Sequence, residues 1–421
     1  MFNFKPSQLA QPGILPDIDR PYGLPVFNSI ADMLDSYTGD DAAYILYPQR
    51  VAARAEQFLA GFPGTSLYAV KANPHPAMLK ILWSAGIRHF DVASVREIDL
   101  IQALSTDARL YLMHPVKSRK TIAYAYQSGV RDMAFDCLSE LEKIIAETGR
   151  ARDLNLHLRL AVPNGAAIMP LAGKFGADWD HAIECLVAAR PLVKKLGITF
   201  HVGSQCLDPE AYRSTIKYVR ALLDTAGIEI DTLDCGGGFP IQYPGMDVAG
   251  LETYFTTIQA ALAEYGFSEL EIFGEPGRAL CAEGGSTLAR VELRKGNDLY
   301  LNEGSFGSLF DAGRFAWKHE TRRHRPVHAS QQTWTPRTQD QQAGFRFFGP
   351  TCDSSDVMAG PFYLPDDIRE GDWIEICNLG AYGQALATDF NGFQSETTVA
   401  ILEDNSSCNP PLASSPATSR I

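Results

Sequence analysis

The sequence lacks any paired-cysteine motif. Its eight cysteines are scattered, with no C-x-x-C pair and no metal-ligand spacing, so neither a zinc module nor a disulfide scaffold is indicated. They read as reduced thiols in a cytoplasmic protein, with no metal site. Long apolar runs are also missing. No stretch reaches the ~18 apolar residues of a membrane span, and the start, MFNFKPSQLAQPG, has no basic segment leading into an apolar one, so no signal peptide is expected. Positive charge is in deficit: 37 Lys and Arg stand against 50 Asp and Glu, a net charge of −13. That argues against nucleic acid or an anionic membrane as partner and suits a small cationic substrate. No internal repeat is evident.

What is present is a regular rhythm. Short β-type runs recur at LYAV (67–70), RHFDV (88–92), RLYLM (109–113), DMAFD (132–136), LNLHLRL (154–160), ITFHV (198–202), DTLDC (231–235) and LEIFG (270–274). Helical patterns separate them, and HPAMLKILWSAG and LSELEKIIAETG end in glycine, a common helix stop. Eight strands alternating with helices predict an α/β fold, a (β/α)8 TIM barrel, over residues 41–280. After Glu275 the runs STLARVELR, DLYLNEG, DWIEICNLG and ETTVAIL follow one another without helices, which predicts a mostly β C-terminal domain, a sandwich or barrel over 281–402. Residues 1–40 form an N-terminal arm contributing to that domain. Residues 319–343 read as a polar surface loop, and 403–421, rich in Ser and Pro, as a disordered tail.

In such barrels the chemistry sits where strands end. Here those ends carry Lys71, Asp91, His114, Asp136, Arg159, His201, the run Gly236-Gly237-Gly238, and Glu275 with Arg278 just beyond. Taken singly, each has an ordinary explanation. A lysine after a strand is usually solvated, a glycine triplet is often a tight turn, and Glu275 with Arg278 could be a surface ion pair. Their convergence on one rim is what points to a site. Glycines after strand seven let backbone N–H groups approach a phosphate. A lysine at an apolar strand end suits Schiff-base chemistry, because desolvation lowers its pKa. A carboxylate facing a protonated pyridine makes that ring an electron sink.

At these residues the chain resembles the fold-type III, alanine racemase-like enzymes that use pyridoxal phosphate, specifically their ornithine, lysine, arginine and diaminopimelate decarboxylases. The motif Tyr68-Ala69-Val70-Lys71-Ala72-Asn73 carries the likeness, with HVGSQCLDPEAY (201–212), DCGGGFP (234–240), GEPGR (274–278), GPTCDSSDVM (349–358) and NLGAYGQALATDFNGF (378–393). The ornithine decarboxylases are nearest in these motifs. The resemblance implies that Lys71 attaches the cofactor covalently and that His201 stacks on its ring. It implies that Ser204, Gly236, Gly237, Gly238 and Arg278 hold the phosphate with Tyr382 nearby, and that Glu275 pairs with the pyridine nitrogen. Asp91 and Arg159 support the cofactor, and Lys174-Phe175-Gly176 forms a turn near the site. Cys352 and Asp353 would complete the neighbouring subunit's site in a homodimer.

In that reading Cys352 returns a proton to the substrate's α carbon once carbon dioxide has left, and Asp353 receives the distal ammonium of a diamino acid. Asp311 in GSLFDAGRF is a second acidic candidate. Arg314 could bind a second substrate carboxylate and favour diaminopimelate instead of ornithine or lysine; a D-amino acid is the other alternative of this fold. A racemase is disfavoured because Glu275, not an arginine, faces the pyridine position. A non-catalytic regulatory binding protein is disfavoured because Lys71, His201, the glycine run, Glu275, Arg278 and Cys352 are all retained.

Overall fold

The computed structural model describes residues 23–162, 167–169, 173–326 and 341–402. Eight parallel strands close into a barrel: Thr65–Ala69, His89–Asp91, Arg109–Leu112, Asp132–Phe135, Asn155–Arg159, Lys195–Thr199, Thr232–Asp234 and Glu271–Gly274. The last strand pairs with the first, Phe273 beside Thr65, which removes any open edge. Helices cover the outside, and local sequence explains their starts. Ser94, Ser118 and Asp178 each accept the backbone N–H three residues on, and Pro48 and Pro76 occupy first-turn positions where no N–H is needed. The barrel interior packs Leu67, Tyr111, Met113, Ala134 and Phe273. A larger apolar layer between strands and helices includes Phe58, Phe62, Phe239 and Phe255, whose rings stand 4.9–6.1 Å apart.

The second unit is a nine-stranded sheet. Its long strand Gly285–Lys295 pairs antiparallel with Ala43–Leu46 on one side and Trp373–Ile376 on the other, and with Asp298–Leu301 at its far end. Val26–Phe27 runs parallel to Thr398–Ile401, so both ends of the described chain meet here. Two expectations need correction. The domain boundary at 40/41 falls one strand too early, because Ala43–Leu46 is fully buried in this sheet. The segment 319–343 is not one loop: Thr321–His324 is a strand antiparallel to Trp373–Ile376, and Gln342 opens another. Its arginines misled, because Arg322, Arg323 and Arg325 pair with Glu320, Glu375, Asp367 and Asp372 around that strand. Residues 1–22, 327–340 and 403–421 of the proposed arm, loop and tail lie outside the described residues.

Glu303 links these parts. Buried beneath the loop after Leu301, it accepts from Gly304 N at 2.9 Å, Ser308 N at 3.1 Å and the Tyr44 hydroxyl at 3.3 Å. Burial pushes its carboxyl from 4.5 up to about 7. The folded chain therefore retains a proton that the unfolded chain has lost between those pH values. Glu303 should cost stability as pH rises from about 4.5 to about 7, with no further change above. Unfolding of wild type and Glu303→Gln across that window should show wild type losing ground to the variant. Parallel curves would rule the effect out.

Among the described residues no helix is long and apolar enough to cross a membrane, and no group of three or more His, Cys, Asp or Glu could hold a metal ion. The seven described cysteines are free.

Candidate active site

The strand ends bring most of the expected residues to one mouth of the barrel. Lys71 stands in a 3-10 turn immediately after Ala69. Its Nζ lies 3.3 Å from Asp91 Oδ2 at the end of the next strand. Asp91 is buried, while 51% of the lysine side chain is open to the space above it. Attraction to Asp91, helped by Tyr382 and Glu275, outweighs desolvation and holds the ammonium above its ordinary pKa. The expected lowering is therefore corrected for the chain by itself. Desolvation acts in the expected direction, but a buried carboxylate at contact distance is the larger effect.

His201 comes two residues after Thr199, where its strand ends. Burial, then the charges of Arg159 and Lys71, push its pKa well below the ordinary value. Gly203 N donates to its Nδ1 at 3.0 Å, so the neutral ring carries its proton on Nε2. An uncharged imidazole can lie flat on an aromatic ring without burying a charge.

The glycine run is dictated by crowding. Gly236 has φ +64°, and a Cβ there would meet Phe200 O at 1.9 Å. A Cβ on Gly237 would lie 2.7 Å from Glu275 O and 2.9 Å from His201 Nε2. The turn is pinned by Gly236 N donating to Asp234 Oδ1 at 2.8 Å and by Glu275 N donating to Gly236 O at 2.8 Å. Ser204 opens a short strand paired with Met169 across the same rim. The Lys174-Phe175-Gly176 turn also reaches the site edge: Gly176 N donates to Asp136 Oδ2 at 3.0 Å, and Phe175 packs edge-on against His114.

Glu275 follows the last barrel strand and is buried. Burial, reinforced by neighbouring Asp234 and Asp91, raises its carboxyl well above the usual range. A carboxyl in a dry space beside other acids is costly to ionise, and this is why Glu275 favours its protonated form before a cation is placed against it. Sequence reasoning missed Asp234; the alternation of Thr232-Leu233-Asp234 would have placed it on the inward face. Arg278, also buried, donates from Nη1 to Asp311 Oδ2 at 2.9 Å and to the Tyr243 hydroxyl at 3.0 Å. Its guanidinium lies 4.6 Å from the Trp317 ring centre and 4.8 Å from that of Tyr382. Tyr382 adopts φ +58°, and its N–H donates to Ala72 O at 2.8 Å, tying it to the Lys71 turn.

Three expected residues are not gathered here, and a fourth, Asp311, reaches the rim only through Arg278. Asp311 is buried against Arg278 and is not open to a substrate ammonium. Arg314 is exposed at the end of the short helix Phe310–Arg314, so within this chain it offers the site no carboxylate anchor. Cys352 and Asp353 are exposed on the loop following Gln342–Phe348. Cys352 donates from N at 3.3 Å and Sγ at 3.4 Å to Asn391 Oδ1, while Asp353 accepts from Ser355 N and Oγ.

Buried polar atoms in the rim with no hydrogen-bond partner include Glu275 Oε1, its neighbour Asp234 Oδ2, and Arg278 Nε. Such atoms are costly unless something pairs with them. Glu275 suits a protonated ring nitrogen and Arg278 a phosphate, and Lys71 supplies an amine within the same rim. Pyridoxal phosphate fits this set. Bound there, it supplies an aldehyde that takes up amines and a ring that draws electrons from a breaking bond.

The comparisons agree. Residues 49–282 match the family model described as pyridoxal-dependent decarboxylase, pyridoxal binding domain. A lysine/ornithine decarboxylase of Selenomonas ruminantium is 33% identical over 350 residues, 80% of this chain and 83% of that one. The arginine decarboxylase of Paramecium bursaria Chlorella virus superposes with a TM-score of 0.77 at 27% identity, covering 89% of this chain and all of that one. The lysine/ornithine decarboxylase of Vibrio vulnificus, complexed with cadaverine, gives 0.71 at 28% identity over 86% of this chain and 92% of that one. With barrel, rim residues and sequence likeness in agreement, the chain belongs to the pyridoxal-dependent decarboxylases.

Proposed function

We propose that the chain decarboxylates a basic amino acid, ornithine or lysine, as a homodimer whose sites are each completed by the partner. The observation that carries the reaction type is the buried Glu275 carboxyl, close enough to Lys71 to act on its charge and with one oxygen unpaired. A carboxyl that passes its proton to a ring nitrogen would keep that ring protonated as the carboxylate's partner; an arginine would not. The relatives named above act, by name, on lysine, ornithine or arginine, and one is complexed with a diamine.

The chain's own groups then divide the work. Lys71 would hold the cofactor through its amine, which is the amine a substrate would replace and product release would restore. His201 would lie against the cofactor's ring, and the Gly236–Gly238 turn would hold its phosphate. Cys352 delivers the proton to the α carbon. Asp353 meets the distal ammonium: hydrogen bonds from Ser355 hold its carboxyl below the usual range, so it stays anionic. With Asp311 occupied by Arg278, Asp353 is the acid that remains for this task. Comparing kcat/KM for L- and D-ornithine, L- and D-lysine, arginine and meso-diaminopimelate tests the assignment. L-ornithine or L-lysine should lead by at least tenfold, a difference of about 1.4 kcal/mol in transition-state binding. A lead for diaminopimelate would overturn it.

The dimer reading rests on exposure. Among the described residues no hydrogen bond or ion pair joins Cys352 or Asp353 to Lys71. Beside that loop Leu386, Phe390 and Phe393 are 40–49% exposed, an apolar patch of the kind that a partner covers. Mixing inactive Lys71→Ala and Cys352→Ala subunits should therefore restore activity. Random exchange makes about half the dimers mixed, each with one intact site of two, so about a quarter of wild-type activity should return. Cys352→Ala is scored on correct amine product, since its defect falls after carbon dioxide has left. Confirmed exchange without recovery would place the whole site within one chain.

A further inference from the structure

The residues around Arg278 suggest a role for Asp311 that differs from substrate binding. Arg278 and Asp311 are each only 4% exposed and meet at 2.9 Å. The same Nη1 also donates to Tyr243, while the guanidinium is flanked by Trp317 and Tyr382. These contacts leave one orientation for the group. They also leave Nε buried and unpaired, free to receive an anion. Asp311 and Trp317 belong to one stretch of the second domain: Trp317 N donates back to Asp311 O at 3.4 Å. Tyr243 comes from the barrel loop beyond the glycine run. The arginine is thus braced from both domains.

We propose that Asp311 is a positioning residue for the cofactor's phosphate anchor, acting through Arg278, and that the second domain thereby sets how tightly the cofactor's phosphate is held. The inference rests on the pyridoxal phosphate assignment. A guanidinium recognises phosphate through its fixed planar fork, so its orientation matters as much as its charge. Asp311 supplies that orientation and, with Tyr243, occupies Nη1, while Nε keeps no partner within the chain.

The test is cofactor binding to the cofactor-stripped enzyme, measured by equilibrium dialysis for pyridoxal phosphate and, separately, for pyridoxal, which lacks the phosphate. Asp311→Asn should weaken pyridoxal phosphate binding roughly 10–100-fold, by analogy with removal of the residue that orients a metal ligand. Pyridoxal binding should change little. The KM for the amino acid, measured with cofactor in excess, should stay within about threefold of wild type, and Asp311→Glu should recover part of the phosphate-dependent affinity. Unchanged cofactor affinity together with a raised amino-acid KM would make Asp311 a substrate residue and overturn the proposal. Equal losses for pyridoxal phosphate and pyridoxal would also overturn it, because the effect would not pass through the phosphate. Should Asp311→Asn fail to fold, judged by circular dichroism, Tyr243→Phe takes its place: the same selective loss, smaller in size, supports the proposal, and an unaltered ratio of the two affinities contradicts it. If the wild type binds neither compound, it is the cofactor assignment that fails.

Discussion

Lys71→Ala is expected to remove turnover and the covalent link to the cofactor together. Lys71 is the rim's lysine beside Asp91, 3.3 Å away, and no other described side chain in the rim offers a primary amine at that strand end. Without it, substrate must find the cofactor aldehyde unaided and product must leave unaided. A missing nucleophile of this kind costs at least ~10^3-fold in rate. Borohydride treatment of the wild type should fix the cofactor to the peptide bearing Lys71, and the same treatment of the variant should leave that peptide unlabelled. The variant should still bind pyridoxal phosphate, because Arg278, the Gly236–Gly238 turn and Glu275 are untouched. Full activity in the variant would remove the basis for the cofactor assignment.

The second large effect is expected at Glu275. Glu275→Gln keeps the shape and a hydrogen bond but removes the ionisable group that can hold a ring nitrogen protonated. Losing a charge-assisted hydrogen bond where charge develops costs roughly 3–4 kcal/mol, or ~10^2–10^3 in kcat. Amino-acid KM should move little, since Glu275 is buried away from solvent. Asp234 remains beside the substituted residue, so the variant also asks whether that second buried acid can serve instead. An unchanged kcat would show that it does.

Much of this site was legible in the sequence because a barrel turns strand ends into a ring. The alternation alone located Lys71, Asp91, His201, the glycine run and Glu275, since each follows a short apolar run. Where the reading failed, the cause lies in contacts between distant segments. Asp311 sits in a helix of five residues, too short to reveal its inward face, and its partner Arg278 is 33 positions away. Tyr243 and Trp317 carry no motif; their relevance comes from packing on that arginine. The strand Thr321–His324 reads as a polar loop because three of its four residues are Arg or His, and only acids supplied by the neighbouring strand and turn make it part of a sheet. The protonation of Lys71 was misjudged for a similar reason: burial of the lysine was inferred from its strand, whereas the countercharge comes from the next strand over.

A decarboxylase breaks the bond from the α carbon to the carboxylate and not the bond to hydrogen. The most direct measurement is the fate of both groups when L-ornithine or L-lysine is turned over in deuterated water with pyridoxal phosphate present. The expected result is one carbon dioxide per diamine formed, with a single solvent deuteron at the carbon that bore the carboxylate. Recovery of the amino acid with deuterium at its α carbon and no carbon dioxide would contradict it, and would show that Glu275 supports proton exchange instead of decarboxylation.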